Sequence, residues 1–181
     1  MAGDHPHGLS RGGLLFLIAL DFLKAKNPQA FNMLQSRLGG TFYDKYKMYP
    51  IESLNNLQKE VLMGAFGKVE EESYYQLGKF TFQSYAHTMV GATLTNVSIN
   101  QEDVVRKILD LWNTVVNFGS RTLTQIDNDS GYAVIEIKDD ERNNAYLRGV
   151  IETGIETIGG KNVSSEIIGQ EKGNYQIKVH W

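Results

Sequence analysis

The chain of 181 residues contains no cysteine, only three prolines and only four histidines. The absence of cysteine excludes disulfides, thiolate metal sites, iron–sulfur clusters and thioether attachment of haem. His5 and His7 lie in an amino-terminal segment without periodicity and lack a third ligand for a metal. His180 falls on the polar face of a predicted strand, where we interpret it as a solvated side chain. His87 is the only histidine inside a predicted helix.

The chain also lacks a long apolar run and a strong net charge. The run from Leu14 to Leu20 is broken by Asp21, whereas a membrane-spanning helix needs about 20 apolar residues. Arg11 is the only cation before the run, so a secretory signal is not indicated either. A net charge of −3 offers no footprint for nucleic acid or an anionic membrane. We therefore expect a cytoplasmic protein with no membrane span and no nucleic-acid partner.

The first two thirds of the chain show the apolar periodicity of helices. The first predicted helix is apolar nearly all round, which indicates burial on several sides. The second has Asn27 and Pro28 as its cap and first turn, and Asn100 gives the fifth a cap-like start. The predicted helices are Gly12–Lys26, Pro28–Leu38, Pro50 to about Gly67, a fourth following Glu70–Glu72 and reaching about Val90, and Asn100–Phe118.

The last third reads as two hairpins with one helix between them. From Tyr175 to Trp181 apolar and polar residues alternate without a break, as a half-buried strand requires. These patterns predict an α+β fold in which a helical amino-terminal half packs on a four-stranded antiparallel sheet, with the order β-β-α-β-β. We expect residues 1–10 to be a loose tail and 11–181 a single domain, divided into 11–119 and 120–181. The predicted strands are Thr122–Ile126, Tyr132–Ile137, Val163–Ile168 and Asn174–Trp181, and the helix between the hairpins runs from about Asn143 to Ile158.

Aromatic and aliphatic side chains are concentrated on the fourth and fifth predicted helices. Such a stripe is typical of a packed core, but ligand pockets are also mostly apolar with a few polar anchors. The sequence leaves both alternatives open. The residues predicted to line a pocket, if one exists, are Tyr74, Tyr75, Phe82, Tyr85, Met89, Trp112 and Val116.

No motif indicates catalysis or a bound metal. There is no glycine-rich phosphate loop of familiar spacing and no nucleophile elbow with a matching histidine. The acidic runs Glu70–Glu72 and Asp139–Glu141 precede helices, where we interpret them as favourable charges at a helix amino terminus. We expect a protein that is not an enzyme, with no catalytic residues, no metal and no cofactor.

Short segments over nearly everything after the tail match a known pattern. They are Gly13–Phe16 with Asp21–Leu23, Tyr49-Pro50, Leu77-Gly78 with Tyr85 and Thr88, Trp112-Asn113, Phe118-Gly119, Tyr146–Gly149, Ile158–Gly160 and Tyr175–Trp181. With these segments, the layout resembles a superfamily that contains the haem-nitric-oxide-binding (H-NOX) domains, the TRAPP vesicle-tethering subunits and the four-vinyl-reductase-type ligand-binding domains. It is most similar to an uncharacterised bacterial family best known from myxobacteria.

The resemblance implies a binding module, and many members are dimers. The pockets of members of this superfamily bind haem, a hydrocarbon or aromatic effector, or an acyl chain. Relatives that bind haem use a histidine on the helix before the sheet, but Asn100–Phe118 contains none. Their Tyr-x-Ser-x-Arg signature is also missing, since Tyr132–Glu136 reads Tyr-Ala-Val-Ile-Glu. His87 remains the only candidate haem ligand, and haem is not expected.

The predicted function is therefore non-enzymatic binding of a hydrophobic small molecule, or a sensory role, in a homodimer. One alternative is a protein-interaction scaffold without a ligand. A second alternative is a haem-binding gas sensor.

Overall fold

The computed structural model describes residues 9–39, 43–44, 46–88, 100–171 and 174–181. Within these ranges, six helices and six strands follow one another in the order of the predicted pattern, with two short strands added. The helices are α1 (Gly12–Lys26), α2 (Pro28–Arg37), α3 (Ile51–Phe66), α4 (Glu71–Ala86), α5 (Gln101–Val115) and α6 (Asn144–Thr157). The strands are β1 (Leu9–Arg11), β2 (Met48–Pro50), β3 (Ser120–Asp127), β4 (Tyr132–Lys138), β5 (Ser164–Glu171) and β6 (Asn174–His180).

The helix starts follow the predicted caps. The Asn27 side chain accepts a hydrogen bond from the backbone N–H of Ala30 at 3.1 Å, and its amide donates to the carbonyl of Gly64 at 3.0 Å. Asn100 accepts from the N–H of Asp103 at 2.9 Å. These bonds satisfy donors that the first helical turn leaves without a partner. The Asn27 cap also joins α2 to α3, so one residue sets both a helix start and a tertiary contact.

Two predicted helices end earlier than their periodicity suggests. The fourth was predicted to reach about Val90, but α4 ends at Ala86, with His87 at its carboxyl-terminal cap. The fifth was predicted to reach Phe118, but Val116 is extended and forms an isolated bridge with Ser10. Pairing with a distant segment thus overrides the local helical preference at Val116.

A two-stranded antiparallel sheet that the pattern did not predict joins β1 to β2. Leu9 and Ser10, the last two residues of the predicted loose tail, lie in β1, and Ser10 is fully buried. Leu9 is also held to the segment after α5, where its N–H donates to Asn117 Oδ1 at 2.7 Å. Residues 1–8, which include His5 and His7, lie outside the described ranges.

The main sheet contains four antiparallel strands in the order β3-β4-β6-β5. The predicted α+β class with antiparallel pairing is confirmed. Alternation on β6 places Tyr175, Ile177 and Val179 in the core. On β4, the same alternation of side chains buries Ala133, Ile135 and Ile137 fully.

Helices α4 and α6 approach each other through glycines. A Cβ atom at Gly78 would lie 2.1 Å from the carbonyl oxygen of Tyr146, and one at Gly149 would lie 2.3 Å from the carbonyl oxygen of Tyr75. The helix backbones are therefore in direct contact, as small residues permit. This contact fixes the position of α4, which carries most of the predicted pocket residues.

Across the described ranges, each helix is too short or too polar to cross a membrane.

Candidate functional site

Four helices, α1, α4, α5 and α6, line a small and partly open cavity. Its volume is about 30 Å³, whereas a cavity needs about 10–15 Å³ to hold one water molecule. We call it the interior cavity. Its lining is mostly apolar, includes two residues with hydroxyl groups, and is formed by Leu14, Leu15, Thr81, Phe82, Tyr85, Leu111, Trp112, Val115 and Val150.

One of these two hydroxyl groups has no partner. Thr81 Oγ1 donates to the carbonyl of Leu77 at 2.8 Å, which satisfies it within α4. Tyr85 is only 6% exposed, and its Oη is buried without a hydrogen-bond partner among the described residues. Burial raises the pKa of Tyr85, so its hydroxyl stays protonated and remains a donor. An unpaired buried hydroxyl costs about 1–3 kcal/mol, which a bound acceptor would recover.

The structure brings together three of the seven residues predicted to line a pocket. Phe82, Tyr85 and Trp112 line the interior cavity. Tyr74 and Val116 are buried in the hydrophobic core but are not part of its lining. Met89 lies outside the described residues.

Tyr75 lies on another face of α4 and has its own partners. Its hydroxyl donates to Glu152 Oε2 at 2.5 Å, and Ser165 Oγ donates to the other carboxylate oxygen of Glu152. Burial and the hydrogen bond to Glu152 raise the pKa of Tyr75. Tyr75 also borders a surface pocket of about 140 Å³ together with Arg148. Its hydroxyl is therefore not available as an anchor in the interior cavity.

Sequence reasoning did not assign the remaining residues of the lining to a pocket. Leu111 and Val115 belong to the apolar pattern of α5, and that pattern does not distinguish a pocket lining from a filled core. Leu14 and Leu15 of α1 come from a distant segment, so no local spacing could connect them with Tyr85. Thr81 lies one helical turn before Tyr85 on α4, and this spacing could have predicted that both side chains lie on the same face of the helix.

A buried ionic cluster of Arg121, Asp140 and Arg142 supports one side of this site. Their side chains are 1%, 0% and 0% exposed, respectively. Arg121 Nε donates to Asp140 Oδ2 at 2.9 Å, while Arg142 donates to both carboxylate oxygens at 3.0 and 2.7 Å. The Arg142 guanidinium lies over the Trp112 ring, 5.0 Å from its centroid. Trp112 is thus shared between the cluster and the interior cavity.

The position of Asp140 shows that the interpretation of the acidic run Asp139–Glu141 was wrong for this residue. The sequence suggested a favourable charge at a helix amino terminus, but the Asp140 carboxylate is buried and contacts two arginines. Burial alone would raise the pKa of this carboxyl. The charges and hydrogen bonds of Arg142 and Arg121 outweigh burial and lower the pKa to about 2.

A larger groove lies on the surface between α2 and α3 and has a volume of about 480 Å³. We call it the α2–α3 groove. It shares no lining residue with the interior cavity. Its lining is mostly apolar, with three charged residues, and consists of Leu23, Ala30, Met33, Leu34, Arg37, Lys59, Glu60, Met63, Gly64 and Val69.

The fold is that of the H-NOX domains. An H-NOX protein from S. oneidensis in the Fe(II)NO state has 12% identity and a TM-score of 0.74, covering 93% of this chain and 98% of that one. Unliganded Fe(II) H-NOX from K. algicida has 11% identity and a TM-score of 0.68, covering 93% and 95%. An oxygen-binding H-NOX domain related to soluble guanylate cyclases, in its oxygen complex, has 12% identity and a TM-score of 0.67, covering 93% and 92%.

Within this fold class, the chain belongs to DUF2378, a family described as proteins of unknown function, whose model matches residues 10–181. The predicted resemblance, an uncharacterised family similar to H-NOX, is confirmed. No match to the chain was found among curated proteins.

The residues present do not fit a haem group. Helix α5 carries no histidine, and His87 at the end of α4 is exposed and is not part of the cavity lining. The interior cavity of about 30 Å³ is also far smaller than the roughly 300–1,000 Å³ typical of pockets for organic ligands. Buried Phe82 and Trp112 occupy this region instead.

Hemin added to the purified full chain is therefore expected to give no sharp Soret band in the absorption spectrum. The physical reason is that no histidine within the described ranges borders the interior cavity and that its volume of about 30 Å³ is too small for the macrocycle. The variant His87→Ala is the matched control and should give the same broad spectrum as the parent chain. A sharp band that disappears in His87→Ala would contradict this prediction.

Proposed function

We propose that this protein is a non-enzymatic domain that binds a small hydrophobic molecule in the interior cavity. The observation that carries the proposal is the hydroxyl of Tyr85, which is buried without a hydrogen-bond partner among the described residues, on a residue of a mostly apolar lining. Ligand sites are typically apolar with a few placed polar groups. The likeness to H-NOX structures captured with NO and with oxygen supports a sensory role for this fold.

The lining defines the chemistry of the ligand. Phe82, Trp112 and their neighbours favour an apolar body, and the protonated Tyr85 hydroxyl favours one hydrogen-bond acceptor on it. A cavity of about 150 Å³ is needed for a ring the size of benzene. At about 30 Å³, the interior cavity is close to the size of a water molecule, so the side chains of its lining must move apart to admit a ligand of a few non-hydrogen atoms. A short ketone or aldehyde combines these properties.

The polar groups described around the interior cavity are few, which favours a binding role over catalysis in this proposal. Thr81 is satisfied within its own helix, and Tyr75 and Glu152 are hydrogen-bonded to each other outside the cavity. Among the residues that the structure describes, no cluster of three or more metal-ligating side chains occurs. A general base or nucleophile with an orienting partner would be required for acyl or proton transfer.

Replacing Tyr85 with phenylalanine is expected to raise the free energy of unfolding of the ligand-free protein by about 1 kcal/mol. The substitution removes a buried hydroxyl that has no partner and leaves the ring in place. The same change should weaken binding of 2-butanone about fivefold, because the ketone loses its hydrogen-bond donor. Urea unfolding measures the first effect and saturation-transfer NMR titration measures the second.

Tyr132→Phe serves as the matched control, since Tyr132 lies on β4 outside the cavity lining. It should leave 2-butanone binding unchanged. If the parent chain does not bind 2-butanone, or if its affinity equals that of Tyr85→Phe, the interior cavity is part of a filled core. The protein would then be better described as a scaffold without a ligand.

The homodimer stays a prediction. Static light scattering at micromolar concentration tests it, and a monomeric mass would contradict it.

A further inference from the structure

The α2–α3 groove is independent of the interior cavity and has the dimensions of a ligand site. Its volume of about 480 Å³ lies within the range of about 300–1,000 Å³ that organic ligands occupy. Because the two sites share no lining residue, an occupant of the groove does not depend on the proposed function of the cavity.

Apolar side chains on the groove are unusually exposed. Met33 is 66% exposed, Met63 is 53% exposed and Val69 is 37% exposed. Contiguous exposed apolar surface marks a binding region more often than scattered apolar residues do. Methionine is flexible and adapts to apolar ligands of different shape.

Gly64 allows close packing beside the groove. A Cβ atom there would lie 3.0 Å from Leu23 Cδ1 and 3.3 Å from Ala30 Cβ, and both of these residues line the groove. The glycine also accepts the Asn27 side-chain hydrogen bond that joins α2 to α3. The groove is therefore bordered by a close contact between the two helices.

The charged residues of the groove carry a net positive charge. Arg37 Nη2 forms an ion pair with Glu60 Oε2, which uses one of the guanidinium's five donors. Lys59 is exposed and forms no ion pair with another described residue. The two cations and one carboxylate leave a charge of +1 beside an apolar surface. This charge is complementary to a single anionic head group.

We infer that the α2–α3 groove binds a single-chain amphipathic anion, namely a free fatty carboxylate. The hydrocarbon chain lies against Leu23, Ala30 and Met63, and the carboxylate meets Lys59 and the free donors of Arg37. The volume suits one chain, and the net charge of −3 on the protein disfavours docking on an anionic membrane. A free carboxylate is therefore favoured over a lipid within a bilayer.

Three probes with the same chain and different heads test this inference on the full-length protein. Decanoate and decyltrimethylammonium are titrated below their micelle concentrations and decan-1-ol below its solubility limit, while NMR follows the protein labelled with methyl-¹³C methionine. We expect the Met33 and Met63 methyl signals to shift and the Met48 signal, from β2, to stay in place. Decanoate should bind about fivefold more tightly than decan-1-ol, and decyltrimethylammonium more weakly than either.

Two variants separate the head-group contact from the chain contact. Lys59→Met should remove the preference for decanoate and leave the affinity for decan-1-ol unchanged. Met33→Glu places a carboxylate at a position that is 66% exposed, so the fold tolerates it, and should weaken decanoate binding about tenfold. Lys161→Met makes the same charge change at an exposed residue outside the groove and should have no effect.

Several outcomes overturn the inference. These are absence of decanoate binding, equal binding of the anionic and cationic probes, and equal effects of Lys59→Met and Lys161→Met. Loss of decanoate binding in Tyr85→Phe would place the probe in the interior cavity instead. Unchanged decanoate binding in Tyr85→Phe supports the groove, and this holds whether or not 2-butanone binds.

Discussion

Replacing Asp140 with asparagine is expected to lower the free energy of unfolding by about 3–5 kcal/mol. Asparagine keeps the shape of the side chain but removes the negative charge that, among the described residues, pairs with the buried guanidinium groups of Arg121 and Arg142. Two like charges would then be buried together without compensation. Urea unfolding at neutral pH, followed by far-UV circular dichroism, measures the effect.

Asp139→Asn is the matched control because Asp139 is the exposed neighbour of Asp140. Its backbone has a φ of 52°, a left-handed conformation that asparagine tolerates well. We expect this change to alter the free energy of unfolding by less than about 0.5 kcal/mol. Equal effects at the two positions would show that the cluster contributes little to stability.

The same ion pairs predict an acid-dependent loss of stability. The pKa of Asp140 is lowered from 3.8 to about 2 in the folded protein. The contribution of its charge to the free energy of unfolding is therefore complete above pH 3.8 and is lost as the pH falls through about 2. The size of this contribution is about 2 kcal/mol. The parent chain should lose it between about pH 4 and pH 2, whereas Asp140→Asn should lack this component of the pH dependence.

Replacing Gly78 with alanine is expected to lower the free energy of unfolding by about 2 kcal/mol. The added Cβ would lie 2.1 Å from the carbonyl oxygen of Tyr146, and a helix backbone cannot move aside as the end of a side chain can. Overpacking of this kind costs about 3 kcal/mol, and the better helix propensity of alanine returns about 1 kcal/mol. The midpoint of urea unfolding measures the net change.

Gly64→Ala is the matched control, since Gly64 also lies inside a helix. The nearest atoms to its Cβ would be Leu23 Cδ1, Ala30 Cβ and Leu23 Cδ2, which are all side-chain atoms. The variant should therefore keep most of the gain in helix propensity and remain within about 1 kcal/mol of the parent chain. If both alanine variants were equally stable, the approach of α4 and α6 would not be as close as the structure shows.

The positions of the main elements were predictable because their signals are local. Asn27 and Asn100 cap helices through bonds to residues three positions away. The strict alternation from Tyr175 onward makes β6 a half-buried strand whatever packs against it. Helix α1 is apolar nearly all round, a pattern that predicted burial on several sides, and the structure confirms this burial. Propensity and periodicity depend mainly on neighbours along the chain, and such signals can be read without a structure.

The limits of local signals appear at Val116 and at Asp140. Val116 continues a helical apolar pattern that was predicted to reach Phe118, yet Val116 is extended and bridges Ser10, so α5 ends at Val115. Asp140 precedes a helix, which explains acidic residues well in general, yet it forms a buried ion pair with Arg121 of β3. In both cases a contact between distant segments outweighs a local preference of about 1 kcal/mol or less.

The sequence alone therefore determined the α+β class, the helix caps, the alternating strands and an aromatic surface on α4 and α5. Only the tertiary structure decided that Phe82, Tyr85 and Trp112 border a cavity, that Tyr75 does not, and that a groove lies between α2 and α3. The physical reason is that a cavity is the small volume left unfilled by side chains from separate segments. Its size and its unpaired atoms follow from how those segments pack together.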